Sequence, residues 1–132
     1  MRFVDANVFI YILTRSPKDS FEISQRILKR VEQGEDAMTT TAILQEVVDW
    51  LEYTKRRGQV KAFLNAVNSY ANMHKITASW QDMLSAPEYM ETNDLDYVDA
   101  LTIQVMKKNG ISEIYSNDKD FDRVRGIGRI WN

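Results

Sequence analysis

The chain has 132 residues, with 17 Lys and Arg against 19 Asp and Glu, one His and no Cys. This length suits a single domain over residues 1–132, and an apolar fraction of 44% is enough for a packed core. The lack of Cys excludes disulfides and thiolate metal sites, and one His excludes multi-histidine zinc chemistry. No apolar run is long enough to span a membrane, so we expect a soluble, cytoplasmic domain whose polar chemistry rests on carboxylates.

Apolar residues along the chain alternate between the spacing of strands and that of helices. We predict strands at residues 2–4, 37–40, 74–78, 113–116 and 129–131. We predict helices between residues 17 and 33, 42 and 53, 60 and 67, and 98 and 106, with another from residue 80 onward. Segment 8–13 fits either an extension of the first strand or the start of a helix, and Thr41 and Ser79 are predicted N-caps. Such alternation needs crossover connections, which favours an α/β fold: a three-layer α/β/α domain with a mainly parallel central sheet.

Four acidic residues stand where strands end or helices begin. Asp5 directly follows the first strand, and Asp118 comes two residues after the strand that ends at Ser116. Glu46 lies in the early turns of the helix after residue 40, and Asp99 lies in the first turn of the helix before residue 109. Because ligands of open parallel sheets bind beyond the carboxyl ends of the strands, these acids can converge. Like charges destabilise one another, and Mg²⁺ or Mn²⁺ is the natural ion for such an oxygen-rich cluster.

Each of these acids also has a purely structural interpretation. Asp99 can pair with Asp96 in a helix capping box, Glu46 can be a solvated helix residue, and the acids after residue 116 can be turn formers. Asp5 is the hardest to explain in this way. A carboxylate at the edge of an apolar strand is costly to bury unless it is paired, hydrogen-bonded or bound to a metal.

Four short blocks cover nearly the whole chain: Val4–Ile10, Thr39–Glu46, Leu95–Leu101 and Tyr115–Asp122. In this order and at these separations they resemble the PIN-domain family, most closely its small VapC-type toxins of toxin–antitoxin pairs. The resemblance implies a Rossmann-like α/β/α domain with three or four acids at the carboxyl end of its sheet. It also implies a Mg²⁺- or Mn²⁺-dependent endoribonuclease, in which the four acids identified above bind the metal and carry out catalysis.

The resemblance also assigns supporting roles around these acids. Asn7 and Ser116 match polar positions that family members use to support the site, and Asp96 and Asp120 are further candidates for that role. Asp96 competes with Asp99 for the third metal-binding position. We prefer Asp99 because Ala100-Leu101 follows it, as in the Asp-Ala-Leu pattern of the family.

Clusters of basic residues are the candidates for contacting an RNA backbone, although the net charge of −2 does not by itself indicate nucleic-acid binding. They are Arg15, Lys55, Arg56, Arg57, Lys119, Arg123 and Arg125. Cations at solvated helix ends are common without such a role. Tyr11, Tyr97 and Phe121 are candidates for stacking on unpaired bases, and Phe121 fits a packing role better.

Partners and alternatives follow from the same resemblance. It implies a homodimer and, for a toxin, a small antitoxin protein that presents a basic side chain to the acids. One alternative is a PIN-like module that binds RNA or protein without cutting. Another is a haloacid-dehalogenase-type phosphatase with Asp5 as its nucleophile, but that mechanism needs a second acid at the position that Asn7 occupies.

Overall fold

Five parallel strands form the centre of the computed structural model, which describes residues 1–132. The strands are β1 (Arg2–Val4), β2 (Ala37–Thr40), β3 (Met73–Ile76), β4 (Glu113–Tyr115) and β5 (Gly128–Ile130). They pair in the order β3-β2-β1-β4-β5, and every neighbouring pair is parallel. The prediction of an α/β fold with a parallel sheet is therefore confirmed.

Seven α-helices connect the strands. They are α1 (Ala6–Thr14), α2 (Lys18–Glu32), α3 (Thr41–Tyr53), α4 (Val60–Ser69), α5 (Trp80–Ser85), α6 (Pro87–Asn93) and α7 (Tyr97–Lys108). Short 3-10 helices cover Arg57–Gln59 and Lys119–Arg123. Helix α1 packs on α2 and α3, whereas α5 and α6 pack on α7, so two helical groups cover the sheet in the predicted three layers. None of these helices has the length and hydropathy of a membrane-spanning segment.

The core is built on the central strand and on α7. Phe3 and Val4 of β1 are fully buried, as is Ile114 of the neighbouring β4. This burial on both faces is typical of a parallel sheet between two layers of helices. The apolar stripe predicted on α7 is also buried, with Val105 and Met106 at most 1% exposed. The first turn of α7 is thereby held against the end of the sheet.

Local capping explains where the helices begin. Segment 8–13 belongs to α1, because the Asp5 side chain accepts the Ala6 N–H and starts a helix directly after β1. The predicted capping box at Ser79 is present, with Asp82 as its second member. The prediction of Thr41 as the N-cap of α3 is wrong, since Thr40 accepts the Ile43 N–H at 3.2 Å. Helix α3 therefore starts one residue closer to the end of β2.

Three other features differ from the prediction. The structural alternative for Asp99 fails, because Asp96 is the N-cap residue of α7 but its side chain makes no capping hydrogen bond. Helix α6 was not predicted, because its seven residues are too few to show a helical apolar stripe. Residues 119–123 form a 3-10 helix where we expected a polar loop, and there the Asp118 side chain accepts the Asp120 N–H.

Candidate active site

The candidate site lies where the strand order of the sheet changes direction. From β1 the chain proceeds to β2 on one side, and β4 is added later on the other side. The carboxyl ends of β1 and β4 therefore border the crevice where open α/β sheets bind ligands. A cleft of about 470 Å³ opens here, and it is lined by five acids. They are Asp5, Glu46, Asp96, Asp99 and Asp118.

Asp5 is the most buried of these acids, with only 4% of its surface exposed. Its Oδ1 accepts the Ala6 N–H at 2.8 Å, and its Oδ2 accepts the Ser116 hydroxyl at 2.6 Å and the Asn7 amide at 3.3 Å. Burial raises the pKa of Asp5, while the hydrogen bonds from Ser116 and Ala6 oppose that rise. Asp5 is therefore held in one orientation between the start of α1 and the end of β4.

Asn7 and Ser116, the predicted supporting residues, join the two strand ends. The Asn7 amide donates to Ser116 Oγ at 3.1 Å, and Asn7 Oδ1 accepts the Asn117 N–H at 3.2 Å. Ser116 Oγ also accepts the Asp118 N–H at 3.0 Å, which fixes the backbone of the next acid. One hydroxyl thus contacts both Asp5 and the segment that carries Asp118.

Asn117 lies between Ser116 and Asp118, just after the end of β4. Its side-chain amide donates to the Tyr11 hydroxyl at 2.9 Å, and the Tyr11 ring lies 5.7 Å from that of Trp131. Tyr11 therefore has partners within the protein, and its role in base stacking stays a prediction. Phe121 is fully buried, as its packing role requires.

Asp99, Asp118 and Asp120 form the tightest group of carboxylates. One carboxylate oxygen from each lies within 4.8 Å of the others. Burial, together with the charges of Asp5 and Asp118, raises the pKa of Asp99 to about 8. Of these three residues only Asp120 has a cation beside it, since Arg123 lies 2.9 Å from its carboxylate. At neutral pH the group is therefore stable only when a proton or a cation offsets its charge.

Glu46 and Asp96 are at the exposed rim of the cleft. Partial desolvation, followed by the charge of Asp5, raises the pKa of Glu46, so its carboxylate is coupled to the buried acid. Asp96, like Asp5 and Glu46, lines the cleft but does not belong to the group of Asp99, Asp118 and Asp120. Asp99 has the closer carboxylate neighbours, and the choice of Asp99 over Asp96 as the third metal-binding acid stays a prediction.

The predicted RNA-contacting cations lie outside the cleft, whose lining contains no Lys, Arg or His. Arg15 follows α1, Lys119 and Arg123 lie in the second 3-10 helix, and Arg125 is exposed beyond it. Lys55, Arg56 and Arg57 follow α3. The roles of these residues in RNA binding stay predictions.

Arg129 is a residue of the site region that the sequence did not single out. Its guanidinium makes two hydrogen bonds to Asp122, at 3.0 and 3.1 Å, and a longer one to the Ser116 carbonyl at 3.4 Å. It thereby ties the second 3-10 helix to the end of β4. The only sequence signal was a basic residue in the last strand, which gives no partner.

The donor set fits a hard divalent cation. Every ligand that the acids offer is a carboxylate oxygen, which Mg²⁺ and Mn²⁺ prefer over nitrogen and sulfur. The cleft is also open to one side, so an ion held by its acids can keep water ligands and meet a substrate phosphate. The acidic group can therefore hold a metal ion.

The fold is that of an open parallel α/β domain, and its acid-lined cleft at the switch point of the sheet is a candidate metal site. The model of the PIN domain family matches residues 2–127, so this chain belongs to the PIN domain family. Two similar proteins are a VapC ribonuclease of Mycobacterium bovis and the ribonuclease VapC13 of Mycobacterium tuberculosis. Each is 25% identical to this chain over 131 residues, which cover 98% of this chain and 99% of the relative.

Solved structures share the fold at lower sequence identity. The VapC20 toxin of Mycobacterium tuberculosis, described as cleaving the sarcin–ricin loop, superposes with a TM-score of 0.78 at 20% identity, covering 92% of this chain and 93% of VapC20. The VapBC2 complex of Rickettsia felis, bound to a promoter DNA fragment, contains a chain with a TM-score of 0.72 at 14% identity, covering 99% of this chain and 98% of that one. A toxin–antitoxin complex of Klebsiella pneumoniae contains a chain with a TM-score of 0.65 at 13% identity, covering 96% of this chain and 95% of that one. Family membership, together with an amide at Asn7, leaves the phosphatase interpretation without support.

Proposed function

We propose that this protein is a divalent-metal-dependent endoribonuclease, the toxin of a VapBC-type toxin–antitoxin pair. The observation that carries the proposal is the acid-lined cleft, in which Asp99 has a raised pKa and no basic side chain is present. Such a cleft is completed by a cation from outside the chain. The similar proteins named VapC ribonuclease support the choice of RNA as the substrate.

Asp5, Asp99 and Asp118 would hold the Mg²⁺ or Mn²⁺ ion, with Glu46 completing the set from the rim. A divalent ion in such a site supplies an acidic water ligand and neutralises the charge that grows on the phosphate oxygens. Asp99 must lose its proton when it becomes a ligand, because only the carboxylate form binds a metal well. Asp120 lies close enough to Asp118 to assist from the outer side.

Ser116 and Asn7 orient the carboxylate of Asp5 by hydrogen bonding. Their hydrogen bonds hold the Asp5 carboxylate toward the cleft, and the Ser116 hydroxyl also fixes the backbone of Asp118. The outer partners of metal ligands tune both affinity and geometry. These two residues therefore set how the acids meet the ion, although neither lies in the group of carboxylates.

The partners belong to the same proposal. A small antitoxin that places a basic side chain in the acidic cleft would neutralise the same charges as the metal and so block the site. The Rickettsia felis and Klebsiella pneumoniae structures, which are toxin–antitoxin assemblies, support a partner of this kind. A homodimer and a cytoplasmic location complete the proposal and stay predictions.

The decisive experiment compares RNA cleavage by the wild type and by the variants Asp5→Asn and Asp99→Asn. We expect the wild type to cut a single-stranded RNA with Mg²⁺ or Mn²⁺, and EDTA to abolish the cleavage. Each variant should lose more than about 100-fold in rate, since even the loss of an outer partner of a metal ligand costs roughly 10- to 100-fold. Asp36→Asn makes the same chemical change at an exposed acid before β2 and should leave the rate unchanged.

RNA binding separates the nuclease from the module that binds without cutting. In a nuclease, Asp5→Asn and Asp99→Asn should bind RNA as well as the wild type or more tightly, because negative charge has been removed. RNA that stays whole with every protein and every ion would overturn the proposal in favour of the binding module.

A further inference from the structure

The wall of the cleft formed by α3 carries an aromatic–cation pair, Trp50 and Arg56. Trp50 lies one helical turn after Glu46, so both side chains project from the same face of α3 and both line the cleft. The Arg56 guanidinium lies over the Trp50 ring, 5.0 Å from its centroid. This contact brings a positive charge next to a cleft whose own lining has none.

Arg56 has no acceptor in the protein, like the exposed Arg15, Arg26, Arg57 and Arg125. Arg2, Arg123 and Arg129 all meet carboxylates, whereas Arg56 is absent from the ion pairs and from the side-chain hydrogen bonds. Its side chain is nevertheless partly buried, and its backbone N–H donates to the Leu51 carbonyl at 2.7 Å. A guanidinium offers five N–H donors and binds phosphate well, so this residue is held in place with its donors unused.

The two neighbours of Arg56 do not share this position. Lys55 has a left-handed backbone, with φ of 61°, and its side chain is exposed. Arg57 is also exposed and lines a separate surface cavity together with Glu52 and Lys61. The run of three basic residues in the sequence is therefore divided in the structure, and only Arg56 contacts a residue of the acidic cleft.

We propose that Trp50 and Arg56 form the subsite that binds a nucleotide flanking the scissile phosphate, with the guanidinium on a backbone phosphate and a base stacked on the part of the indole ring that lines the cleft. This inference rests on the proposed ribonuclease function. An aromatic ring stacks on any base, and a guanidinium reads only the backbone, so the subsite is tolerant of sequence. A base can stack there only when it is unpaired, which makes the cleft selective for single strands.

The first test measures RNA affinity without turnover, using a single-stranded RNA in fluorescence anisotropy with every protein in the Asp99→Asn background. Adding Arg56→Ala should weaken binding about ten-fold at low salt and reduce the slope of log K against log salt by about 0.7, the value for one contact to a single strand. The matched control is Arg57→Ala, which removes the same charge one residue away. Its loss of affinity should be several-fold smaller than that of Arg56→Ala, because Arg57 lies outside the cleft.

The second test asks whether the ring contacts a base. Trp50→Ala should weaken binding of intact RNA by roughly five- to 100-fold, the range for loss of one stacked base, and should weaken binding of an abasic strand of equal length much less. Trp50→Phe keeps an aromatic ring at the same place and should retain most of the affinity. Trp80→Ala removes the 70% exposed indole on α5 and should have no effect.

Three results would overturn the inference. One is an equal loss of affinity from Arg56→Ala and Arg57→Ala, which would show a diffuse charge effect. Another is an equal loss for intact and abasic RNA in Trp50→Ala or, if that variant does not fold, in Trp50→Leu, which removes the aromatic ring but keeps an apolar side chain. In both cases a wild type that still cuts RNA keeps the ribonuclease function while the subsite is wrong. A wild type that neither binds nor cuts RNA overturns the function and the subsite together.

Discussion

The two ends of the parallel strands carry charged clusters that differ in one respect. At the amino end, Arg2 donates to Glu35 at 2.9 Å, to Glu113 at 3.2 Å and to the Tyr115 hydroxyl at 2.8 Å. The Tyr115 hydroxyl in turn donates to Glu35 at 2.7 Å, so every member of this cluster has a partner. At the carboxyl end, five acids line a cleft that contains no basic side chain.

The same strands build both clusters. Strand β1 begins with Arg2 and is followed directly by Asp5. Strand β4 begins with Glu113, and Asp118 comes three residues after its end. The fold therefore does not dictate the imbalance, which comes from the side chains at each end. A cluster whose charges are neutralised within the protein is a structural element, whereas a cluster of acids without a cation favours the binding of a cation from solution. The effects of pH, of a divalent metal and of substitution each test this difference between the two ends.

The largest expected effect is that of pH on the metal-free protein. The Asp99 carboxyl has an ordinary pKa of 3.8 and a folded-state pKa of about 8. Between these values the folded state holds a proton that the unfolded state has lost, so the stability falls as the pH rises from about 4 and levels off above about 8. The raised pKa values of Asp5 and Glu46 act in the same direction. Thermal unfolding in EDTA across this range measures the effect.

Asp99→Asn is the control for the pH prediction. It removes the titrating group and one of the like charges, so its melting temperature should depend less on pH and exceed that of the wild type near pH 8. A wild-type melting temperature that stays level or rises between pH 5 and pH 8 would contradict the interpretation of the carboxyl end as an unbalanced cluster.

A divalent cation should produce the next largest effect. At a Mg²⁺ concentration 100 times its dissociation constant, binding to the folded state alone adds about 2.7 kcal/mol to the free energy of unfolding. The gain should be greatest near pH 8, where no proton competes for Asp99. Differential scanning fluorimetry with Mg²⁺, against NaCl of equal ionic strength, measures it. The gain should be lost in Asp99→Asn and kept in Asp36→Asn; equal gains in the two variants would place the ion elsewhere.

The cluster of acids at the carboxyl end could be predicted because the residues that form it stand next to strand ends in the sequence. An apolar strand followed at once by Asp5 indicates a carboxylate at a sheet edge, and parallel strands bring such edges together. The same reasoning could not rank Asp96 against Asp99, since that choice depends on which side of the first turn of α7 faces the cleft. It also could not find Asp120 in the carboxylate group, because the 3-10 helix after Asp118 determines that contact.

The amino-end cluster and the Trp50–Arg56 pair could not be predicted from the sequence, for a different reason. Arg2 and Tyr115 are 113 residues apart, and only the pairing of β1 with β4 brings them together. Arg56 and Arg57 are adjacent and chemically identical, and the left-handed turn at Lys55 lies just before them. Charge patterns in a sequence give the number of cations available, whereas side-chain direction decides which of them has a partner.

The smallest effect is expected at the amino end, from Arg2→Met. The change removes the cation from Glu35 and Glu113 and should lower the free energy of unfolding by about 1–2 kcal/mol, less than for a fully buried pair because the Arg2 side chain is 34% exposed. Urea denaturation measures it, and Arg2→Met combined with Glu35→Gln should recover part of the loss. RNA cleavage and the gain from Mg²⁺ should match the wild type. A change in either would mean that the two ends are coupled through β1 and that the amino-end cluster is more than a structural element.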